Sequence, residues 1–213
     1  MNLISYQNKD LNPTASSSDF IWIKDKSLSK SFCKEIIEKY EKSKDKHEGL
    51  VGNGRIDKSL KRTRDLSISN FKDKWQKEDE HLFQALRKGL NEYCTMCSEH
   101  HYNLTVSEDV HEMIDTGYMI QKYEPGGFYD WHMDCDVNMG HEPPVRKISM
   151  TLLLNDPSEF EGGHLELMAP GKFAELKQGH AIVFASFLNH RVQPVTRGVR
   201  QSLVVWFGGK PFR

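Results

Sequence analysis

The residues whose types and spacing most clearly suggest a chemical role lie at positions 123–134, in a polar and aromatic stretch that ends in His132 and Asp134. In an extended segment, residues i and i+2 point to the same side, so this imidazole and this carboxylate can face one metal ion. The third candidate ligand is His190, which follows an apolar run at 181–185 typical of a buried strand. A His-x-Asp pair alone is a weak signal, because two solvated polar residues at a strand end give the same pattern.

A second feature, the strand-like segment that begins at Arg200, strengthens the metal-site interpretation. Alternation puts Arg200, Ser202, Val204 and Trp206 on one face, and Gln201, Leu203, Val205 and Phe207 on the other. An arginine directed into a mostly apolar interior is costly without an anionic partner. A planar guanidinium with a hydroxyl beside it suits a carboxylate bound through both oxygens. Two histidines and a carboxylate on one face of a metal ion leave other positions open, as in non-haem Fe(II) oxygenases.

Four motifs in the second half of the chain resemble those of one enzyme family. They are Tyr123-x-x-Gly-Gly-x-Tyr-x-x-His132-x-Asp134, the segment 146–155, the Glu-Gly-Gly-His-Leu-Glu-Leu segment at 161–167, and the segment 190–200 from His190 to Arg200. In combination they resemble the 2-oxoglutarate and Fe(II)-dependent oxygenases of the prolyl 4-hydroxylase type, in particular the small bacterial and phage hydroxylases. The similarity is strong over the second half of the chain and loose before it.

The resemblance implies a role for each matching residue. His132, Asp134 and His190 are expected to bind Fe(II), and Arg200 is expected to pair with the distal carboxylate of 2-oxoglutarate. Tyr123 matches a tyrosine that reaches the same carboxylate. Further expected contacts with this co-substrate are Ser149, Thr151, Ser202 and Trp206. For Tyr123 and Trp206, packing in the core is the alternative.

The resemblance also implies an activity. The expected enzyme is a dioxygenase that uses O2, releases succinate and CO2 from 2-oxoglutarate, and hydroxylates a proline-containing peptide or protein, with ascorbate as a possible further cofactor. One alternative is an oxygenase acting on a nucleobase or a free amino acid, for which the basic segment from Arg55 to Arg64 is the support. The other is a non-catalytic jelly-roll module that binds a metal for structure.

Composition and charge set the class of protein. The chain has 213 residues and a net charge of −1, which fits one soluble domain with a sizeable core and argues against nucleic acid or membrane as the partner. The N-terminal sequence lacks a signal-peptide profile, so a cytoplasmic protein is expected. Cys94 and Cys97, followed by His100 and His101, have spacing that a zinc site could use. We favour buried, reduced cysteines, because they lie on or beside an apolar helical stripe.

Helical periodicity in the first half predicts two helices that support the residues described above. Apolar residues recur at helical spacing over about 29–43 and over about 78–102. The segment 44–65 between them is charged and rich in glycine, and is predicted to be a long loop. We expect this loop to close over the substrate; a solvated surface loop is the alternative.

From Gly117 onward the pattern predicts one short strand after another. Short strands preceded by two helices favour a mainly β fold with flanking helices, an eight-stranded jelly roll (double-stranded β-helix) with the helices outside one sheet. The chain is thus predicted to be one domain over 1–213, with helical support and a loop at 1–110 and a catalytic jelly-roll core at 115–210. The metal ligands are expected in the open mouth of the barrel.

Overall fold

A computed structural model describes residues 20–52, 54–99, 113–135, 145–168, 171 and 173–209. The helices are α1 (Lys30–Lys42) and α2 (Lys72–Glu99). The strands, in chain order, are β1 (Ile21–Lys24), β2 (His47–Glu48), β3 (Lys61–Arg62), β4 (Arg64–Ser67), β5 (Ile114–Asp115), β6 (Met119–Tyr123), β7 (Phe128–His132), β8 (Val145–Leu153), β9 (Phe160–Gly162), β10 (Leu165–Leu167), β11 (Ala181–Ala185), β12 (His190–Val192), β13 (Val195–Gly198) and β14 (Arg200–Gly209).

Helix α1 forms where its periodicity predicts it. The Ser29 hydroxyl accepts a hydrogen bond from the Phe32 amide and so caps the N-terminus. Phe32, Ile36 and Tyr40 recur at helical spacing and are buried against the large sheet, where one aliphatic side chain contributes about 1.5–3 kcal/mol. The apolar stripe therefore fixes which side of the helix meets the sheet.

Helix α2 begins at Lys72, six residues before the predicted start at 78. Its first turn is almost entirely charged, so the apolar repeat that marks a helix in sequence is absent there. The buried Trp75 anchors this turn, and Asp73 is favourable near the positive end of the helix dipole. The helix is described as far as Glu99, and the predicted end at 100–102 lies outside the described residues.

The strands form two main sheets and a small one, all antiparallel. The large sheet has eight strands in the order β1-β11-β8-β14-β6-β4-β2, with β5 also paired to β14. The smaller sheet has the order β10-β12-β7-β3, and β9 pairs with β13. The mainly β jelly roll with helices outside one sheet is confirmed. Short strands from the N-terminal half extend both sheets beyond the eight strands predicted for the jelly roll.

Alternation along the central strands separates two cores. Leu203, Val205 and Phe207 on β14 face the core beneath the helices, as predicted. The second core, between the two sheets, contains Tyr123 and Phe184. The opposite face of β14, which carries Arg200, is directed towards this second core. Polar residues predicted to do chemistry therefore lie inside the barrel.

The prediction of a continuous loop over 44–65 was wrong. Strand β2 pairs with β4, β4 pairs with β6, and β3 pairs with β7. Sequence patterns missed these strands because the inward positions are polar: Lys61 and Asp65 are both buried. The remaining connection, 49–60, contains a bridge between Val51 and Arg55 and turns through Gly52 and Gly54, which both have positive φ.

Within the described ranges, neither α1 nor α2 combines the length and apolar composition of a membrane-spanning helix.

Candidate metal centre

The structure brings the three predicted ligands together at one end of the smaller sheet. His132 ends β7 and lies opposite His190, the first residue of β12, in the strand register. Asp134 follows two residues after His132. His132 Nε2 is 3.5 Å from Asp134 Oδ1, and His190 Nε2 is 3.4 Å from Asp134 Oδ2. One ligand atom from each residue lies within 4.8 Å of the others, so a single ion can contact all of them.

Backbone carbonyls orient both imidazole rings. The Nδ1 atom of His132 is 2.7 Å from the Asp130 carbonyl, and that of His190 is 2.9 Å from the Leu188 carbonyl. A carbonyl can only accept, so Nδ1 carries the hydrogen and Nε2 presents its lone pair. Both Nε2 atoms also face Asp134. The tautomer and the direction of the two rings are therefore those that metal binding requires.

The electrostatics of the three groups suit a divalent cation. Burial lowers the pKa of His190 to about 4, against the opposing effect of Asp134, so its imidazole is neutral at pH 7. Burial by itself would raise the pKa of Asp134, but His190, His132 and Ser149 hold it well below the usual range. Two neutral nitrogen donors and one carboxylate, without a thiolate, fit Fe(II) with open coordination positions.

Two serines position Asp134, and one of them bonds to its carboxylate. The Ser149 hydroxyl donates to Asp134 Oδ2 at 2.7 Å and lies 2.9 Å from the Ser186 hydroxyl. The Ser186 carbonyl accepts the backbone amides of Asp134 and Cys135. Ser149, which the resemblance implied as a co-substrate contact, therefore bonds to a candidate ligand. Ser186 was missed in the sequence, where its only signal is a small polar residue directly after a buried apolar strand.

We expect Ser149→Ala to weaken Co(II) binding about tenfold, because groups that orient a ligand typically contribute 10–100-fold to metal affinity. The measurement is titration of the protein with Co(II), followed by absorption. Ser27→Ala is the matched control, since that hydroxyl donates to the Lys24 carbonyl at the end of β1 and, among the described residues, bonds to no group of the metal centre. Equal Co(II) affinity in both variants would show that the Ser149 hydrogen bond does not position Asp134.

Arg200 is the second notable group. It is only 2% exposed, its Nη1 donates to the Ser202 hydroxyl at 3.0 Å, and its guanidinium lies 5.0 Å from the Tyr123 ring centroid. Burial lowers its pKa. Among the described residues no carboxylate forms an ion pair with it. The Tyr123 hydroxyl donates to Gln121 Oε1 at 2.9 Å, so Gln121 joins this group although the sequence gave no indication of it.

The remaining predicted contacts are divided between the two ends of the barrel. Ser202 lies beside Arg200, whereas Trp206 is paired in register with Ser149 near the metal centre. Thr151 lies between them, opposite Val204. The predicted set is therefore a row along the inner face of β8 and β14, and not one cluster around Arg200.

Two aromatic side chains, Tyr129 and Trp206, border the metal centre. Tyr129 stacks on His132 with ring centroids 3.5 Å apart and an angle of 14° between the planes. The Arg146 guanidinium lies 4.0 Å from the Trp206 ring centroid. The contact of Tyr129 with His132 coincides with a register shift between β7 and β12, in which β7 has one extra residue, and a single sequence does not show such a shift.

The zinc alternative receives no support. Cys94 and Cys97 are buried in α2, and burial raises the pKa of Cys94 to about 12 and that of Cys97 to about 11. Metal-binding cysteines are thiolates, so these protonated thiols are poor ligands. His100 and His101 lie outside the described residues.

Comparison with known proteins agrees with this geometry. Residues 118–208 match the family model described as the 2OG-Fe(II) oxygenase superfamily. A PKHD-type hydroxylase of Maricaulis maris is 38% identical over 90 residues, which are 41% of this chain and 40% of that protein. The chain thus spans about two fifths of the length of the curated relatives it matches.

Two solved structures share the fold. The viral collagen prolyl hydroxylase of Paramecium bursaria Chlorella virus 1, in complex with 2OG, has a TM-score of 0.58 and 16% identity, covering 90% of this chain and 97% of that one. A prolyl hydroxylase of Trichoplax adhaerens, in complex with a hypoxia inducible factor peptide fragment, has a TM-score of 0.63 and 15% identity, covering 90% of this chain and 84% of that one. Over residues 118–208 the chain is therefore similar to the 2OG-Fe(II) oxygenase superfamily and to the PKHD-type hydroxylases, and it shares the fold of the prolyl hydroxylase structures.

Proposed function

We propose that this protein is an Fe(II)- and 2-oxoglutarate-dependent dioxygenase that hydroxylates a prolyl residue in a peptide or protein, with release of succinate and CO2. In this proposal His132, Asp134 and His190 hold the iron, and Arg200 binds the distal carboxylate of 2-oxoglutarate. Ser202 and Tyr123 assist Arg200, while Thr151 and Trp206 line the space between the two ends. Ascorbate is proposed to keep the iron reduced.

The observation that carries the proposal is the buried guanidinium of Arg200. A buried cation without a carboxylate partner is unfavourable, so a pocket that retains one is suited to an anionic ligand. The guanidinium donates to the Ser202 hydroxyl at 3.0 Å, so the remaining N–H groups of Arg200 and the hydroxyl hydrogen of Ser202 can be donated to a carboxylate. A metal centre and a carboxylate site inside the same barrel match a small dicarboxylate that also chelates iron.

Bound Fe(II) supplies the oxidising chemistry that couples decarboxylation of 2-oxoglutarate to hydroxylation of a C–H bond. The chain contributes orientation. Ser149 and Ser186 fix the Asp134 carboxylate, and the carbonyls of Asp130 and Leu188 fix both imidazoles. The apolar walls around Phe184 and Ile182 exclude water from the co-substrate.

A prolyl substrate is supported by the aromatic border of the metal centre. Tyr129 and Trp206 are partly exposed, and although His132 and Lys61 contact the first ring and Arg146 the second, the exposed parts of both rings can contact an extended, proline-rich segment. The structural neighbours are named as prolyl hydroxylases, one of them in complex with a peptide fragment. Both points favour a peptide over a free amino acid.

A nucleobase substrate is less well supported. The support for it is the basic segment 55–64, but cationic side chains of this segment already pair with carboxylates. Arg55 lies 3.9 Å from Asp57, and Lys58 and Arg64 lie 3.5 and 3.2 Å from Glu48. Paired surface cations attract phosphate only weakly. We therefore propose a protein partner and no nucleic acid or membrane partner.

We also propose that residues 115–210 are the catalytic core of one domain and that residues 1–110 support it. A cytoplasmic location is proposed because the four cysteines, all in the described ranges, form no disulfide and Cys33, Cys94 and Cys97 are buried.

The test is succinate formation from 2-oxoglutarate in the presence of Fe(II), ascorbate and O2. We expect proline-containing peptides to increase succinate release and to gain one oxygen atom, measured by mass spectrometry. Single-stranded oligonucleotides and free proline serve as competing substrates. Stimulation by an oligonucleotide alone would favour the nucleobase alternative, and metal binding without any succinate would favour the non-catalytic module.

The hairpin around the Val51–Arg55 bridge remains the proposed substrate lid. Leu50 and Ile56 flank this bridge and are 41% and 58% exposed, although they are large and apolar. We expect Leu50→Ser with Ile56→Ser to raise the KM for a peptide substrate about tenfold, since two lost apolar contacts contribute about 1–2 kcal/mol. The melting temperature and the KM for 2-oxoglutarate should stay unchanged.

Ile114→Ser is the matched control for the lid, because Ile114 is 62% exposed on β5, outside the hairpin. An unchanged peptide KM in the double variant would favour the alternative, a surface loop without a role in substrate binding.

A further inference from the structure

A buried ion pair next to the candidate metal centre has no assigned role. Lys61 Nζ lies 2.7 Å from Asp65 Oδ2, and the two side chains are 2% and 1% exposed. Lys61 Nζ is also 3.4 Å from the Leu50 carbonyl of the hairpin. Fully buried lysine and aspartate side chains are rare in proteins, because removing both charges from water is costly.

The ion pair joins the two sheets of the barrel. Lys61 is in β3 and lies opposite Tyr129 of β7, in the smaller sheet. Asp65 is in β4 and lies opposite Gln121 of β6, in the large sheet. A single residue, Thr63, separates β3 from β4. The ion pair therefore fixes how the strand that carries His132 sits against the strand next to the Arg200 site.

Lys61 is connected to a candidate ligand through one ring. Its ammonium group lies 4.9 Å from the Tyr129 ring centroid, a distance at which a cation is attracted to an aromatic ring. The same ring stacks on the His132 imidazole at 3.5 Å. The His132 Nδ1 hydrogen bond fixes one edge of the imidazole, and the stacked Tyr129 restricts its tilt.

Stability alone does not account for this arrangement. Asp65 Oδ1 is buried and has no hydrogen-bond partner, so the ion pair is incompletely satisfied. Replacing such a buried pair with apolar residues of similar volume is often neutral or stabilising. This ion pair contributes little to stability, but its lysine contacts the Tyr129 ring that stacks on His132. It is therefore suited to positioning His132.

We propose that Lys61 and Asp65 form a positioning pair for the metal centre: they hold Tyr129 against His132 and so fix the direction of the His132 Nε2 lone pair. The inference rests on the proposed metal site and adds to it two residues that touch neither metal nor substrate. Groups that orient a metal ligand typically contribute about 10–100-fold to metal affinity.

The experiment compares Lys61→Met with the double variant Lys61→Met/Asp65→Leu. Two quantities are measured: the thermal unfolding midpoint and the Co(II) affinity of the full chain, from the absorption of the bound ion. Lys61→Met leaves a buried carboxylate unpaired, so both should fall. In the double variant the unfolding midpoint should recover, while Co(II) affinity remains about 10–100-fold weaker than in the unmodified protein.

Two further variants keep the inference testable if Lys61→Met fails to fold. Lys61→Arg retains the positive charge near the Tyr129 ring, so its Co(II) affinity should stay within about threefold of that of the unmodified protein. Tyr129→Leu leaves the ion pair intact and should lose Co(II) affinity to the same extent as the double variant. Lys122→Met is the control, because Lys122 pairs with Glu41 on the outer face of the next strand.

The outcomes are distinguishable. If the double variant recovers both the unfolding midpoint and Co(II) affinity, the ion pair is structural and the inference is overturned. Normal Co(II) binding by Tyr129→Leu overturns it as well. If the unmodified protein does not bind Co(II), the metal site itself is wrong and the inference falls with it.

Discussion

Asp134→Ala is expected to abolish hydroxylation and to weaken Co(II) or Fe(II) binding about 100-fold, because one ligand contributes on the order of 3 kcal/mol to a protein metal site. Asp134 is the acidic member of the triad, and it lies within 3.5 Å of both histidine Nε2 atoms. Its loss removes the negative charge that balances the metal and leaves two neutral donors. Metal affinity is measured by titration and activity by succinate release.

Asp130→Ala is the matched control for this variant. Asp130 is on the same strand, but its carboxylate accepts the backbone amide of Trp131, and only its carbonyl contacts His132. Removing its carboxylate should leave metal affinity within about threefold, since the carbonyl is part of the backbone. Retained metal binding in Asp134→Ala, with loss in Asp130→Ala, would contradict the assignment of the triad.

The candidate ligands could be predicted because their geometry is local. His132 and Asp134 are two residues apart in an extended segment, so alternation alone directs them to one side. Arg200 was recognised because a charged residue on the inner face of an apolar strand contradicts the pattern around it. Neither inference required knowledge of which strands pair. The convergence of His190 with this pair did require the register of β12 against β7.

The residues that the sequence did not reveal depend on strand pairing. Ser186 reaches Ser149 from a different strand end, and Tyr129 lies on the same side as His132, three residues later, where β7 has one extra residue relative to β12. Ser149 was assigned to the co-substrate because it is inward-facing and polar, and its true neighbour, Asp134, lies beyond the end of β7. Inward direction can be predicted from alternation, whereas the partner of a side chain cannot.

The first half of the fold was harder to predict for an energetic reason. Strand patterns rely on buried apolar residues, but β3 and β4 bury Lys61 and Asp65 as an ion pair. A segment that satisfies burial by charge pairing has the composition of a solvated loop. The buried ion pair that made these strands hard to predict is therefore the same pair that we propose positions His132.

Arg200→Met is expected to have opposite effects on the protein with and without 2-oxoglutarate. In the ligand-free protein the change removes a buried cation that has no carboxylate partner among the described residues, so the melting temperature should not fall and should rise by up to about 6 °C. Binding of 2-oxoglutarate should weaken about 30- to 5000-fold, because a buried charge pair lost from one side costs about 2–5 kcal/mol.

Thermal unfolding with Mn(II), with and without 2-oxoglutarate and in the absence of O2, measures both effects. Ligand at about 100 times its Kd stabilises a protein by about 2.7 kcal/mol, which raises the melting temperature of a domain of this size by about 5–10 °C. The unmodified protein should show this increase and Arg200→Met should not. Arg200→Lys keeps the charge but not the two parallel donors, so it should recover only part of it.

Arg197→Met separates the carboxylate site from a general loss of positive charge on the same segment. Arg197 is exposed and pairs with the exposed Glu161, and such a pair contributes little to stability. Its removal should leave the increase caused by 2-oxoglutarate intact. If Arg200→Met kept that increase, or if it destabilised the ligand-free protein as strongly as the loss of a satisfied ion pair does, the guanidinium would be a structural group. The pocket for 2-oxoglutarate would then have to lie elsewhere in the barrel.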